Sequence, residues 1–384
     1  MQLVAVPALL FDLTGRATWL GYVSMAALLP AVILTPHAGV IADRTSRRAI
    51  LIVTQTVQMA CTAAMWVLYV TDTITPWRIV GLTFVGGIAT GFQTSAWQSF
   101  VPSLVPPADM LHAVKLNSIQ YTLARAIGPA TAGIVVHQWG VGAAIFVNMV
   151  TYPLVIGVLL VCRPRRPTVV GPRESIGRAL TEGAKYVLSR PPLRLAVCIA
   201  LVSAVCAQSL QHVAPAVAER VLGRRSTDNA GLLTALGVGA LVASTVSAMV
   251  GDRVKRSHQL QFGLSMYGLS MVVLAITSDY RVGQLAYVVS GLGHLTVAVA
   301  LNTLMQGAVP DAMRGRAVSF HLLGIIGGIP IGTFAMGRLG DAFGMRTALV
   351  VDAVVFVSLL AVLTATGWLQ MTDVANVPPG SSVD

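Results

Sequence analysis

The chain carries few charged side chains. Asp, Glu, Lys and Arg make up 11% of its 384 residues, against about 25% in a typical soluble domain. So little charge does not cover a folded surface in water, and 55% of the residues are hydrophobic. This scarcity excludes an ordinary soluble domain and indicates that lipid surrounds most of the chain. The net charge of +11 does not indicate nucleic-acid binding, because the basic residues form short clusters between apolar segments rather than a continuous stripe.

Motifs for metal binding and for ATP-driven pumping are also missing. The four cysteines, Cys61, Cys162, Cys198 and Cys206, lie within or at the end of apolar segments, and their spacing matches no metal motif. The sequence contains no G-x-x-x-x-G-K-S/T loop to hold the phosphates of ATP. Its N-terminus lacks the basic region and the cleavage site of a secretory signal peptide. We therefore expect a membrane protein that is not an enzyme and holds no metal or cofactor.

Long apolar runs predict membrane-spanning helices, because a helix needs about 20 apolar residues to cross the hydrocarbon core. Eleven runs are candidates: 17–42, 49–70, 79–101, 113–136, 142–162, 192–217, 229–250, 258–277, 283–306, 317–337 and 346–368. The first dozen residues are apolar but too short to cross, and they resemble the outer half of a further span. The sequence thus predicts an all-α integral membrane protein with twelve spans, of which the first is truncated.

The distribution of Lys and Arg predicts the orientation of these spans. The loops at 43–48, 102–112, 163–191, 251–257 and 307–316 hold fifteen basic residues, against eight in the opposite loops. We expect these five loops to face the cytoplasm, with both termini, in a multi-pass protein of the cell membrane.

A long polar interval divides the chain near its middle. Four apolar residues within it fall on one helical face, namely Ile176, Leu180, Ala184 and Val187. They predict an amphipathic helix on the inner membrane surface, in contact with lipid, with a flexible linker as the alternative. The expected domains are a six-helix bundle at 1–162, a central loop at 163–191, a second six-helix bundle at 192–368 and a cytoplasmic tail at 369–384.

The two halves of the chain share short sequence features. VPPADMLHAV at 105–114 resembles VPDAMRGRAV at 309–318, and charged clusters follow apolar runs at 39–48 (GVIADRTSRR) and 251–256 (GDRVKR). These repeats at similar offsets favour duplication of a six-helix unit, a known organisation of transporters.

The sequence resembles the major facilitator superfamily in two features, namely the first charged cluster at 39–48 and the predicted twelve spans in two halves. That superfamily carries G-x-x-x-D-R-x-x-R-R between its second and third spans, and the second cluster departs from this pattern because its Gly directly precedes the Asp. The resemblance implies a latch between the halves that stabilises the outward-facing state. Its residues would be Gly39, Asp43, Arg44, Arg47 and Arg48, with a weaker copy at Asp252, Arg253 and Arg256. A solvated loop with local ion pairs is the alternative.

A second motif lies in the fifth span, where residues 124–133 read ARAIGPATAG. It resembles the antiporter motif of exporters (g-x-x-x-G-P-x-x-G-G), with Ala at two of the glycine positions. This resemblance implies that the protein is an exporter and that the functional residues of the motif are Arg125, Gly128, Pro129 and Gly133. Pro129 removes one backbone hydrogen bond, so we expect a bend where the halves meet. Ordinary tight packing of small residues is the alternative. More narrowly, LTGRATWLG, ADRTSRR and VPDAMRGRAVSF resemble the subgroup that contains enterobactin exporters and macrolide efflux proteins.

Polar residues inside the predicted spans are candidates for contact with cargo or protons. Arg125 lies about twelve residues into its span, where an unpartnered Arg costs about 2.5–3.5 kcal/mol. We expect it to face a central cavity and bind an anionic substrate or hold an acidic partner; an Arg that only joins helices is the alternative. The further candidates are Asn117, Tyr121, Gln208, Gln211, His294, Asp352 and Asp12.

Together these features predict a monomeric exporter of a small organic molecule, either drug-like or siderophore-like. Alternating access between the two bundles is expected, and the resemblance implies that the proton gradient supplies the energy. An importer of the same fold and a non-transporting membrane receptor are the alternatives.

Overall fold

The computed structural model describes residues 1–106, 109–162, 176–250 and 253–373. Within these ranges, the side chains at 35–44, 99, 102, 111, 114–115, 118–119, 121–122, 125–126, 176–180, 250, 311–312 and 314 are outside the description. The predicted roles of the side chains of Asp43, Arg44, Tyr121 and Arg125, and of all of Asp252, therefore fall outside the described residues. The same holds for the surroundings of Gly39.

The described residues are mostly helical and contain no strand. Their helices are α1 (Gln2–Thr14), α2 (Thr18–Arg44), α3 (Arg47–Val70), α4 (Pro76–Phe100), α5 (Met110–Val161), α6 (Ile176–Ser189), α7 (Pro191–Val202), α8 (Ala214–Arg220), α9 (Asn229–Val250), α10 (Arg256–Ile276), α11 (Tyr280–Gly307), α12 (Asp311–Phe343) and α13 (Met345–Ala365). Each of the eleven predicted spans coincides with helix, so the predicted all-α membrane fold is confirmed. The first helix has 13 residues and extends about 20 Å.

The ends of the spans follow from local sequence signals. The hydroxyl of Ser46 accepts a hydrogen bond from the backbone of Ala49 and caps α3, while Thr75 caps α4 immediately before Pro76. The fifth and sixth spans form one continuous element, α5, which is interrupted at Gly140 (φ 81°, ψ 174°). Only glycine adopts this conformation easily, and the break lies between the two predicted runs. The backbone stays helical through Pro129, so the sharp interruption is at Gly140 rather than at the proline.

The seventh span departs from the uniform helix that its hydropathy predicts. After α7 the chain forms a π-helical turn at Ser203–Ala207 and a 3-10 turn at Gln208–Gln211, and α8 follows. α12 packs directly against this stretch, because a Cβ at Gly332 would overlap the carbonyl of Val205. Irregular turns of this kind often occur at functional sites.

The first half of the chain (residues 1–162) packs against the second half (residues 176–373) mainly through α2 on α12 and through α5 on α9. We call the end of the molecule that contains Gly15 the outer end, and the end that contains Ser46 the inner end, following the predicted orientation. Close contacts between the halves lie towards the outer end. There a Cβ on Gly337 would approach the carbonyl of Ala17 to 2.5 Å, and one on Gly133 would approach Ala230 to 2.6 Å. Such small-residue contacts bring membrane helices close together.

The amphipathic segment forms α6 and contacts the second half directly. Nη1 of Arg316, near the start of α12, donates to Oε2 of Glu182 at 2.6 Å, and Val187 is fully buried. A Cβ on Gly183 would approach the Arg316 carbonyl to 2.7 Å. The central helix is therefore held against the inner end of α12 by protein contacts.

Candidate functional site

A cavity of about 990 Å³ lies mainly among the helices of the first half, and His212 of the second half also contributes to its lining. Its volume is at the upper end of the range for drug-binding pockets. Along α4 its lining runs from Leu82 to Gln98, about 24 Å at the rise of an α-helix, so it extends towards the inner end. Its most frequent polar group is the carboxamide, contributed by Gln2, Gln55, Gln58, Gln93, Gln98, Asn117 and Gln120.

Several of these carboxamides are held in place by hydrogen bonds to neighbouring side chains. Nε2 of Gln58 donates to Oε1 of Gln93 at 2.8 Å and to Oγ1 of Thr90 at 3.1 Å. The indole of Trp97 donates to Oδ1 of Asn117 at 3.3 Å. These bonds connect α3, α4 and α5 across the cavity and fix the orientation of the groups that face it.

Two buried polar atoms in the lining have no hydrogen-bond partner among the described residues. They are Oε1 of Gln55, whose residue is 8% exposed, and Oγ of Ser24, whose residue is 2% exposed. A buried polar group without a partner costs about 1–3 kcal/mol, so nearly all such groups in proteins are satisfied by protein, water or ligand. Gln55 and Ser24 are therefore two positions in the lining where a hydrogen bond from a bound molecule would satisfy an unpaired polar atom.

Asn117 was a predicted site residue, whereas Gln55, Gln58, Gln93 and Gln98 were not, although the sequence contains a signal for them. Gln55 and Gln58 lie one helical turn apart within an otherwise apolar run, and Gln93 and Gln98 occur in the next run. Polar groups repeated on one face of a membrane helix indicate a face directed into the protein.

A smaller cavity of about 230 Å³ lies where the halves meet, and it brings together four of the predicted residues. Its lining includes Gly128, Pro129, Gln211 and His294. Nδ1 of His294 is 2.6 Å from the hydroxyl of Tyr267, so the imidazole is anchored within the second half. The antiporter-like motif therefore borders a space between the halves.

Asp352 occupies a different position, inside the second half. It is 9% exposed, and its Oδ2 has no hydrogen-bond partner among the described residues. Its helix, α13, packs on the π-helical turn at Ser203–Ala207. Asp352 is therefore buried within the second half rather than placed in a shallow vestibule at its outer end.

The remaining predicted residues lie at the ends of the helices. Arg48 donates to the carbonyl of Leu160, and Arg256 donates to the carbonyl of Thr372 at 2.8 Å. Arg253 is exposed, while Arg47 is half-buried.

Asp12 and Gln208 lie outside the lining of both cavities. The carboxylate of Asp12 accepts a hydrogen bond from the hydroxyl of Ser226, which joins the two halves at the outer end. Gln208 is half-buried in the 3-10 turn of the seventh span.

Comparison with known proteins extends these findings. A family model described as "Transmembrane secretion effector" matches residues 1–381. The multidrug efflux pump Tap of Mycolicibacterium fortuitum is 23% identical, with 98% of this chain and 94% of that protein covered. The staphyloferrin A transporter of Staphylococcus aureus is 22% identical, with 86% and 83% covered.

Solved structures share the fold. The crystal structure of a variant of the nucleoside transporter NupG superposes with a TM-score of 0.81 at 12% identity, covering 95% of this chain and 94% of that one. At this identity the likeness concerns the fold alone, and it agrees with the predicted major-facilitator architecture.

Proposed function

Because the chain belongs to the transmembrane secretion effector family of the major facilitator superfamily, we propose that it exports a small organic molecule by alternating access. The observation that carries the proposal is the carboxamide-lined cavity, which extends towards the inner end of a molecule whose halves touch at the outer end. A cargo entering from the inner side reaches this cavity before the outer end opens. The similarity to a multidrug efflux pump over 98% of the chain supports export rather than import.

The chemistry of the cavity favours an uncharged cargo that donates and accepts hydrogen bonds. The residues that line it in the described part of the chain include no Asp, Glu, Lys or Arg. Carboxamides and hydroxyls bind hydroxyl, carbonyl and amide groups, whereas a buried carboxylate needs a cationic partner. The unpaired Oε1 of Gln55 accepts only, so it selects a cargo with an O–H or N–H group at that point.

A carboxylate cargo is the second candidate, and it rests on two observations. Arg125 lies on the same helix as Asn117, two turns towards the outer end, and an intramembrane Arg is a natural partner for an anion. One relative is a staphyloferrin A transporter. The two candidates differ in the charge of the cargo, and this difference is measurable.

Asp352 is the residue that we propose for proton coupling. An ionised carboxylate buried without a partner is strongly unfavourable, so this side chain is suited to hold a proton in the conformation described here. Release of the proton then requires a conformation that admits water or a cation to α13. Asp352 lies on a helix that packs against the irregular turn of the seventh span, and we propose that a rearrangement of this turn exposes its carboxyl group.

Expression in an efflux-deficient bacterial host tests the proposal. We expect the inhibitory concentrations of chloramphenicol and thiamphenicol, which are uncharged and carry hydroxyl and amide groups, to rise several-fold, and a protonophore to restore their accumulation in the cells. Efflux of citrate in place of both antibiotics would overturn the uncharged cargo in favour of the Arg125 site.

A further inference from the structure

The carboxylate of Asp341, near the end of α12 in the second half, binds the beginning of α2 in the first half. Its Oδ1 accepts from the backbone N–H of Ala17 at 2.8 Å. Its Oδ2 accepts from the N–H of Thr18 at 2.8 Å and from the Thr18 hydroxyl at 2.6 Å. The first N–H groups of a helix have no partner within the helix and carry its partial positive charge. Asp341 therefore caps α2 as a local Asp or Ser would, but from the opposite half.

Arg220, the last residue of α8, closes this junction from the other side. Its Nη1 donates to Oδ1 of Asp341 at 2.9 Å and to the Gly340 carbonyl at 3.2 Å. Its Nη2 donates to the carbonyl of Gly15, in the turn between α1 and α2. One guanidinium thus bridges the two halves directly while it neutralises the carboxylate that also bridges them.

The backbones around the junction are packed too closely for water to enter easily. A Cβ on Gly337, one turn before Asp341, would approach the carbonyl of Ala17 to 2.5 Å, and one on Gly21 would approach the Cα of Phe334 to 2.5 Å. The side chain of Asp341 is 11% exposed. Hydrogen bonds to a charged group are stronger than neutral ones, and more so where water is largely excluded.

We propose that Asp341 and Arg220 form an outer latch, which holds the outer end closed and must break before the transporter opens outward. Separation of α2 from α12 at this end disrupts the three bonds to Asp341 from Ala17 and Thr18 and the bond from Arg220 to Gly15. The free energy of these bonds thus stabilises the inward-open form relative to the outward-open form. Neither residue lines either of the two cavities described above, so the latch acts on conformation rather than on cargo binding there.

The distance between the halves at the outer end tests the latch without any cargo. Spin labels are attached at Gln138→Cys on α5 and Arg281→Cys on α11, both exposed at the outer end, in a background with the native cysteines replaced by serine. Electron–electron double resonance then gives the ratio of long to short distances. We expect Asp341→Ala to raise this ratio about 10-fold, the size expected from loss of a helix cap and of charge-assisted bonds. Asp341→Asn, which keeps one carbonyl acceptor, should raise it less.

Two further variants separate a latch from a general loss of structure. Arg338→Ala removes an exposed cation from the same helix and should leave the distances unchanged. Arg220→Ala should open the outer end, and its effect should be less than additive with that of Asp341→Ala, because both residues belong to one junction. Unchanged distances in folded Asp341→Ala and Asp341→Asn proteins, or full additivity of the two alanine variants, would overturn the latch. Since no cargo is used, failure of the proposed export does not produce either result.

Discussion

Replacement of Gln55 by leucine should weaken cargo binding without destabilising the protein. Gln55 is 8% exposed in the wall of the larger cavity, and its Oε1 has no hydrogen-bond partner among the described residues. Leucine has a similar volume and no polar atom. If the cargo donates to Oε1, the variant loses one hydrogen bond of about 0.5–1.5 kcal/mol. At 1.4 kcal/mol per tenfold change in affinity, the half-saturating concentration should rise by about 2- to 12-fold.

The stability of Gln55→Leu should be equal to or greater than that of the wild type, although its cargo binding is weaker. Removal of a buried acceptor that lacks a partner relieves a penalty of about 1–3 kcal/mol, so the melting temperature in detergent should stay unchanged or increase. Weaker binding in a protein of equal or greater stability distinguishes a cargo contact from a structural glutamine. The assay is efflux of radiolabelled chloramphenicol from preloaded cells over a range of concentrations, with thermal unfolding measured on the purified protein.

The matched control is Gln138→Leu, the same exchange at an exposed position at the outer end of α5. It should change neither the half-saturating concentration nor the melting temperature. An unchanged half-saturating concentration in Gln55→Leu would refute the assignment of the cavity. A fall in its melting temperature would refute the argument from the unpaired acceptor.

Two further variants probe coupling and packing. Asp352→Asn keeps the shape of the side chain but removes the carboxyl group that binds and releases a proton. Export driven by a proton gradient should therefore be lost, while exchange of labelled for unlabelled cargo persists. The control variant Asp72→Asn, at an exposed position, should retain both activities, and gradient-driven export by Asp352→Asn would show that Asp352 does not couple protons to transport. Gly291→Ala places a Cβ into the Leu236 carbonyl where α9 crosses α11, and such overpacking costs about 1–3 kcal/mol. Its melting temperature should fall. Gly157→Ala should melt as the wild type does, because no atom lies within 4 Å of a Cβ at this position. Equal melting temperatures for the two variants would contradict the close crossing of α9 and α11.

The spans were predictable because their signals are local. The predicted run 229–250 coincides with α9 at both ends, since charged or polar residues border a continuous apolar stretch. Gly140 was identifiable in the same way, as a glycine between two runs long enough to cross separately. The hydropathy of the seventh span does not predict its π-helical turn at Ser203–Ala207, which packs against Gly332 of α12, far away along the chain.

The outer latch could not be read from the sequence, because its partners are far apart along the chain. Asp341 and Ala17 are separated by 324 residues, and no pattern near Asp341 indicates that a helix of the other half begins beside it. In the sequence, Arg220 is only one of the eight basic residues in the predicted outer loops. The carboxamide cavity is an intermediate case, since the spacing of Gln55 and Gln58 marks one face of α3 but not what that face encloses.

The outer latch complements the one that the charged cluster implies. At the inner end of α2, the resemblance predicts that Asp43 belongs to a latch that stabilises the outward-facing state. At the outer end, we propose that Asp341 stabilises the opposite state through the first turn of the same helix. In this scheme each end of α2 takes part in one latch between the halves, and transport alternates between the two.

Transport into inverted membrane vesicles tests the central claim most directly, because their inner face is turned towards the medium. When the vesicle interior is made acidic, wild-type protein should accumulate chloramphenicol against its concentration gradient, and Gln55→Leu should require a higher external concentration for the same rate. Wild-type vesicles that take up no chloramphenicol under this gradient, or that release preloaded chloramphenicol into the medium, would contradict export through the carboxamide-lined cavity.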